Sequence, residues 1–257
     1  MEKTGLTLLR HATLMLEIGG KKILIDPMFS DKNDMDPIGN CGYEIRIPMV
    51  DLPFSKSGIE AMVSQVDAIC VTHLHRDHWD EAAQNSIAKD KLIFCSPNDV
   101  QTIRGQGFTN VLSIEGSVEW NAIQIHRTGG QHGTGEVGKS MGAVSGFVFI
   151  NGQDSIYVAG DTIWCEEVAQ ALTRFDPEVT VLNAGGAKFL IGGHITMTTD
   201  DIIKVHEKSP RTKIIAVHMD TVNHCFLTRK VLLRELTAME MESTVLIPAD
   251  GQRMELF

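Results

Sequence analysis

The chain has 257 residues, of which 43% are hydrophobic, so it is long and apolar enough to bury a sizeable core as a globular protein. A formal net charge of -10 is the wrong sign for binding a phosphate backbone and disfavours a nucleic-acid partner. Charged residues interrupt the N-terminus, and no later apolar run is long enough to span a bilayer, so we expect neither a signal peptide nor a membrane partner. The five cysteines are scattered without a CxxC pair, which favours a reducing, cytoplasmic location.

Short apolar or β-branched runs recur along the chain and predict strands, from LTLLRH near the start to STVLIPA near the end. Gly19-Gly20 and the segment INGQDS predict tight turns between paired strands. Helical periodicity occurs between strands in WDEAAQNSIAKD, CEEVAQALTRF, TTDDIIKVHEKS and RKVLLRELTAME. No repeat or linker divides the sequence, so we predict a single α/β domain over residues 1–257, with mixed sheets covered by helices.

One long stretch, from Pro27 to Ser57, is rich in Pro, Gly, Asn and Asp and has no clear periodicity. A loop of that length inside a domain is usually functional or disordered. We expect it to shape a binding pocket, with Arg46 as a candidate contact for an anionic group.

The densest group of polar residues, THLHRDHWD, directly follows the apolar run DAICV. In an extended backbone side chains alternate, so His73 and His75 project the same way and converge on one point. Asp77 and His78 follow where the chain turns toward a helix beginning near Trp79, so they address a neighbouring point. This layout offers ligands to two adjacent metal ions, and the absence of a positioned thiolate argues against a closed structural zinc site.

Further candidate ligands stand at other strand ends. Asp161 in IYVAGDTIW and His218 in IIAVHMD each end an apolar run, as His73 does, so we expect them along one edge of the core. His132 lies in the glycine-rich loop TGGQHGTGE and is preferred to His126, which falls within the strand AIQIHR.

The ordered motifs resemble those of the metallo-β-lactamase superfamily: Asp26 in ILIDP, the HxHxDH element from His73 to His78, then His132, Asp161 and His218. The opening RHATLMLEIGGKKILIDP, the segment from GGHITM to AVHMDT and the closing IPADGQRMEL are similar to the metal-dependent hydrolases that include the ascorbate-6-phosphate lactonases. The resemblance implies a four-layer αββα sandwich, in which two mixed β-sheets are flanked by helices and two metals lie in a shallow groove at one edge.

The same resemblance implies a role for each matching residue. His73, His75 and His132 would hold the first metal, Asp77, His78 and His218 the second, and Asp161 would bridge the two. Asp26 and His11, each ending its own strand, would support these ligands without binding metal themselves. The implied cofactors are two divalent ions, with zinc as the first choice and manganese or iron(II) as alternatives.

The implied chemistry is hydrolysis by a metal-bridging hydroxide, because two such ions lower the pKa of water from about 15.7 toward about 7. Asp77 or Asp161 would orient the nucleophile, and His194 in IGGHITM is a candidate proton donor to the leaving group. The expected substrate is a small ester, lactone or phosphodiester, with an anionic sugar phosphate or lactone as one candidate. His206 and His224 are expected to be solvated.

Two other functions remain open at this point. HxHxDH relatives include mononuclear iron dioxygenases, and a ligand-binding regulatory protein could use the same scaffold. One iron per chain with oxygen consumption would identify the first, and stoichiometric metal without turnover would favour the second. A homo-oligomer is also compatible with the sequence.

Overall fold

Two mixed β-sheets form the centre of the protein, whose structure, a computed structural model, describes residues 3–257. Within that range each sheet has seven strands. In spatial order the first sheet consists of β14 (Arg253–Glu255), β1 (Gly5–Arg10), β2 (Thr13–Ile18), β3 (Lys21–Ile25), β4 (Ala68–Cys70), β5 (Leu92–Cys95) and β6 (Val111–Ser113). The second consists of β13 (Val245–Leu246), β12 (Lys213–Val217), β11 (Val179–Asn183), β10 (Asp154–Val158), β9 (Gly146–Asn151), β8 (Ile123–Thr128) and β7 (Ser117–Trp120).

The predicted turns join antiparallel strands. Gly19 and Gly20 connect β2 to β3 with φ angles of 57° and 71°, a left-handed conformation that glycine adopts without a steric penalty. Gly152, with φ at 63°, likewise lies between β9 and β10. The sequence signals for these two hairpins are therefore confirmed.

The main core lies between the sheets and follows the alternation of side chains along the strands. Leu14 and Leu16 of β2 belong to the same buried cluster as Phe147 and Phe149 of β9. Residues that point outward pack against helices instead. Helices α1 (Lys56–Ser64), α2 (Glu81–Ser86) and α3 (Val100–Gly105) cover the first sheet, and α5 (Glu166–Phe175), α6 (Thr199–Lys208) and α7 (Arg229–Ala238) cover the second. The αββα architecture is therefore confirmed.

The four predicted helices form α2, α5, α6 and α7. Thr198 and Asp201 make a reciprocal capping box at the start of α6. Helix α2 begins at Glu81, after the capping Asp80, and not at Trp79. The long loop ends at Ser55, the cap of α1, so the predicted boundary at Ser57 was two residues too late. None of the helices within residues 3–257 has the length and hydrophobicity needed to cross a bilayer.

Helices α1, α3 and α4 (Gly135–Met141) were not predicted. Helices α3 and α4 have only six and seven residues, which is too short for a helical period to stand out from the surrounding loops. Helix α1 directly follows the long loop, whose composition obscured its start.

Strand direction brings the polar strand ends together. Strands β1 and β3 run the same way, because each is antiparallel to β2, and β4 is parallel to β3. In the other sheet β10, β11 and β12 are mutually parallel. Their carboxyl ends therefore share one edge of the sandwich, and the residues that follow these strands build the site described next.

Candidate metal centre

Three imidazole nitrogens meet at one point beyond β4 and β8. His73 Nε2 lies 3.0 Å from His75 Nδ1, and His132 Nε2 lies 3.3 Å from the same His75 nitrogen. In a tetrahedral zinc site with Zn–N bonds of about 2.0–2.1 Å, neighbouring ligand nitrogens stand about 3.3 Å apart. The spacing of the three nitrogens fits a single ion, and these are the histidines that the family resemblance assigns to the first metal.

A second group of donors stands beside the first. His78 Nε2 lies 3.2 Å from His218 Nε2. Asp77 Oδ2 lies 3.9 Å from the His78 nitrogen and 3.8 Å from the His218 nitrogen. All three side chains are buried. A carboxylate and two imidazoles at this spacing form a second place where a divalent ion fits.

The Asp161 carboxylate connects the two groups. Its Oδ1 lies 3.2 Å from His218 Nε2, while its Oδ2 lies 3.3 Å from His78 Nε2 and 3.5 Å from His132 Nε2. Asn183, the last residue of β11, donates a hydrogen bond of 2.7 Å from Nδ2 to Asp161 Oδ1. Asn183 was not among the predicted site residues, although an amide that ends a buried strand carries the same signal as Asp161.

Hydrogen bonds on the outer sides of the rings determine which nitrogens face inward. His132 Nδ1 donates to the carbonyl of Ile195 at 2.7 Å, and His218 Nδ1 lies 3.5 Å from Cys225 Sγ. A neutral imidazole that donates from one nitrogen keeps a lone pair on the other. The inward Nε2 atom of His132 is therefore available as an acceptor for a cation.

Asp26 contacts His78 directly and His73 through Thr72, which is compatible with the supporting role that the family resemblance implies. Its Oδ2 accepts a hydrogen bond of 2.9 Å from His78 Nδ1 and another of 2.7 Å from the Thr72 hydroxyl. Thr72 Oγ1 in turn lies 3.0 Å from His73 Nδ1. Thr72 was not singled out in the sequence, yet it links the carboxylate to the first donor group.

His11 supports the second donor group. Its Nε2 lies 3.2 Å from Asp77 Oδ2, its ring centroid lies 3.7 Å from that of His218, and its carbonyl accepts from the His218 amide at 2.9 Å. Burial, followed by the proximity of His218, lowers the pKa of His11 to about 3, so the ring is neutral. A neutral His11 donates its Nε2–H to Asp77 and holds that carboxylate in place.

The charges of the cluster favour a cation. Burial would raise the pKa of Asp161, but His218 and His78 outweigh it and hold that pKa well below its usual range. Burial would lower the pKa of His78, but the Asp161 and Asp77 carboxylates outweigh it and raise that pKa well above its usual value. The buried carboxylates therefore stabilise positive charge at the point where the donor atoms converge.

A cavity of about 210 Å³ opens onto these donors. Its polar wall consists of His75, Arg76, Asp77, His132, Asp161 and His224, and its apolar wall of Ile38, Met141, Phe189 and Ile195. Ile38 comes from the long loop, which therefore shapes the cavity as expected. The Arg76 Nη2 donates to the carbonyls of Asp36 and Pro37 at 2.7 and 2.9 Å, so the arginine also anchors that loop.

Arg46, the candidate anion contact, is not part of this wall. Its side chain is exposed, pairs with the Asp36 carboxylate, and donates from Nη2 to the Asp34 carbonyl at 2.8 Å. These contacts hold the long loop together on its outer surface. The proposed contact between Arg46 and a substrate therefore has no support in the structure.

His194 and His224 both lie where the sequence did not predict them: His224, and not His194, lines the cavity beside the cluster. His194, the candidate proton donor, donates from Nδ1 to the Gly186 carbonyl at 3.0 Å and lines a different cavity, of about 600 Å³, beside α6 and α7. His224, which was expected to be solvated, is only 5% exposed and lines the cavity above the cluster of histidines and aspartates. Its Nδ1 is buried without a hydrogen-bond partner in residues 3–257, and its ring stacks on Phe189 at 5.9 Å. The expectation for His224 was wrong because the loop after β12 folds back over the site.

Comparisons with known proteins agree with this geometry. A family model described as a beta-lactamase superfamily domain matches residues 21–219. The UPF0173 protein YddR of Bacillus subtilis (strain 168) is 36% identical over 252 residues, which cover 96% of this chain and 98% of that protein. The crystal structure of an isothiocyanate hydrolase from Delia radicum gut bacteria is 39% identical, with a TM-score of 0.92 over 97% of this chain and 98% of that one.

A possible metal-dependent hydrolase from Veillonella parvula DSM 2008 is also 39% identical, with a TM-score of 0.95 over 99% of this chain and 100% of that one. These similarities do not specifically show the expected resemblance to the ascorbate-6-phosphate lactonases.

Proposed function

The chain belongs to the metallo-β-lactamase superfamily and is a metal-dependent hydrolase, and we propose that it binds two divalent ions and hydrolyses a small, uncharged electrophile. The observation that carries the proposal is the position of Asp161, whose two oxygens lie within 3.2–3.5 Å of histidines from both donor groups. The Asp161 carboxylate therefore lies where it could serve an ion at either donor group.

The residues divide between the two ions as the family resemblance implies. His73, His75 and His132 would hold the first ion, Asp77, His78 and His218 would hold the second, and the Asp161 carboxylate lies between the two groups. Imidazole and carboxylate ligands with an open cavity beside them suit catalytic zinc, with manganese or iron(II) as alternatives. Ions in these positions supply Lewis-acid activation of water at neutral pH and of the electrophile.

The protein's own side chains position the reactants. Asp77 and Asp161 face the cavity and accept hydrogen bonds from the attacking water, which orients it toward the bound electrophile. His224 lines the same cavity, and its ring carries at least one N–H in every protonation state. Burial lowers the pKa of His224 to about 4, so its ring is neutral at pH 7 and donates a hydrogen bond. We assign to His224 the hydrogen bond that the departing atom needs, a role for which His194 lies in the wrong cavity.

The cavity favours an uncharged substrate. Four of its lining residues are apolar, and its one arginine, Arg76, is already engaged by two carbonyls through Nη2. An organic isothiocyanate, the substrate class named for a relative with 39% identity, fits this description. Water adds to the central carbon of R–N=C=S, and the C–N bond then breaks to give an amine and carbonyl sulfide. An ester or lactone is the second candidate, and a phosphodiester or sugar phosphate has less support.

A substrate panel tests this proposal on the zinc-loaded protein. Benzyl isothiocyanate, p-nitrophenyl acetate, a γ-lactone and bis(p-nitrophenyl) phosphate are compared at equal concentration, and amine release is measured for the first. We expect the isothiocyanate to be hydrolysed fastest and the phosphodiester slowest. One iron per chain together with oxygen consumption on a thiol persulfide, and no hydrolysis of any of the four, would overturn the proposal in favour of a dioxygenase.

A further inference from the structure

A second cavity, of about 470 Å³, adjoins the one above the metal ligands and shares Met141 and Phe189 with it. We call it the annex. The rest of its wall consists of Asn40, Val137, Ser140, Leu190 and Ile191, so none of the lining residues within 3–257 is charged. The annex therefore extends the catalytic cavity along an apolar surface.

The wall of the annex is held in place by specific contacts. Val137 and Met141 stand four residues apart on α4 and so share one helix face. Gly192, at a φ of 101°, packs so closely on α4 that an added Cβ would lie 2.7 Å from Val137 Cγ2. The Leu190 amide donates to the Asn40 carbonyl at 2.7 Å. These contacts fix the loop that carries Leu190 in front of the helix.

The outer part of this wall is strongly exposed. The exposed fractions of Leu190 and Ile191 are 72% and 83%. Single exposed apolar residues are common and need no explanation. Leu190 and Ile191, however, are adjacent and extend the wall formed by Met141 and Phe189. The loop that carries them is held by the hydrogen bond from the Leu190 amide to the Asn40 carbonyl.

Cavity size gives an independent argument. Pockets that bind small organic molecules usually measure about 300–1,000 Å³. The cavity above the metal ligands, at about 210 Å³, is below that range, whereas the annex adds about 470 Å³ directly beside it. The first cavity accommodates a reacting group, and a molecule of ordinary size must extend beyond it.

We propose that the annex binds the uncharged apolar tail, alkyl or aryl, of the substrate, while the reacting group lies among the metal ligands. This inference rests on the proposed hydrolase activity for the orientation of the substrate. The side chains that select the tail are Val137, Met141, Phe189, Leu190 and Ile191.

A homologous series tests the proposal. For n-alkyl isothiocyanates from methyl to octyl, or p-nitrophenyl esters from acetate to octanoate, we expect kcat/KM to rise about two- to four-fold per methylene while the annex fills. In the double variant Leu190→Ser/Ile191→Ser the ratio of kcat/KM between the longest and shortest substrates should fall by at least about ten-fold. Leu233→Ser, which replaces a 51% exposed leucine on α7, is the matched control and should retain the wild-type ratio.

A binding measurement separates failure of this inference from failure of the hydrolase proposal. Fluorescence of the uncharged dye N-phenyl-1-naphthylamine reports an apolar site without turnover, and we expect several-fold weaker binding to the double variant than to wild type or Leu233→Ser. If no substrate is turned over but the double variant still loses dye binding, the hydrolase activity is rejected and the annex remains supported as an apolar binding site. Three results would contradict the proposal that the annex binds the substrate tail. The first is a kcat/KM that does not change with chain length, and the second is equal dye binding by all three proteins. The third is a wild-type dimer that the double variant converts to a monomer without any change in dye binding.

Discussion

Asp26 Oδ2 lies 2.9 Å from Nδ1 of His78. The same oxygen accepts the Thr72 hydroxyl, which itself lies 3.0 Å from His73 Nδ1, so one buried carboxylate orients a histidine in each of the two donor groups. Disturbing Asp26 should therefore affect both metal positions although the residue touches neither cavity.

Asp26→Asn tests this relationship. The amide keeps the volume of the side chain but loses the negative charge that accepts from His78 and Thr72. We expect zinc affinity to fall about 10- to 100-fold, measured by competition with a fluorescent chelator. Asp67→Asn is the control, because Asp67 pairs with Lys21 at 3.1 Å on the surface. Equal zinc affinity in Asp26→Asn and wild type would contradict the assigned role.

His132 and His126 form a matched pair. His132→Ala removes one of three nitrogens that converge on the first position, so we expect the loss of about one metal equivalent per chain and of turnover. His126 lies on β8, half-buried, with its Nε2 3.5 Å from Gln124. His126→Ala should keep both metal and turnover, as read by plasma mass spectrometry and the substrate assay. Loss of metal and turnover in His126→Ala, with both retained in His132→Ala, would identify His126 as the ligand instead.

His224 and His194 distinguish the two candidate donors to the leaving group. His224→Ala should keep its metal and lower kcat about 10-fold, because a hydrogen bond from the neutral ring to the developing charge is worth about 1.5 kcal/mol. His224→Gln, which keeps an N–H donor, should recover part of the loss. His194→Ala should retain wild-type kcat and metal, since His194 lines another cavity. A large loss of kcat in His194→Ala alone would restore the sequence-based expectation.

Arg10 stabilises the long loop from within. Its fully buried guanidinium donates to the carbonyls of Met28, Ser30 and Val50 at 3.2, 2.8 and 3.2 Å. Burial lowers the pKa of Arg10 to about 10, so the side chain is still charged at neutral pH. Arg10→Met leaves these carbonyls without the donor, and we expect the free energy of unfolding to fall by about 3 kcal/mol, measured by urea denaturation.

Arg253→Met is the matched control for Arg10. Arg253 is exposed and pairs with Glu17 at 2.7 Å at the edge of the first sheet, so its loss should cost less than about 1 kcal/mol. Equal costs in the two variants would show that the carbonyl contacts of Arg10 do not stabilise the loop.

The strand ends were the predictable part of the site. Asp26, His73, Asp161 and His218 each follow an apolar run whose end is visible in the sequence. Strands that run in the same direction have their carboxyl ends at one edge of the sheet. The positions of these residues are therefore determined by the strands and do not depend on the conformation of the loops. Asn183, which ends β11, carries the same signal, because its polar amide directly follows an apolar run.

The loop residues were not predictable for a physical reason. Whether Arg46 or Arg76 faces the cavity, and whether His194 or His224 does, depends on how irregular segments fold over the site. Such segments have no period that marks one face as buried. His224 is buried through contacts that are distant in sequence, such as its stacking on Phe189, and no local pattern encodes them.

Anomalous diffraction at the zinc edge, on crystals of the zinc-loaded protein, tests the central claim most directly. We predict two peaks about 3.5–4 Å apart, one against the His73, His75 and His132 nitrogens and one against the Asp77, His78 and His218 atoms, with Asp161 between them. A single peak in a fully active protein, or peaks away from Asp161, would contradict the account.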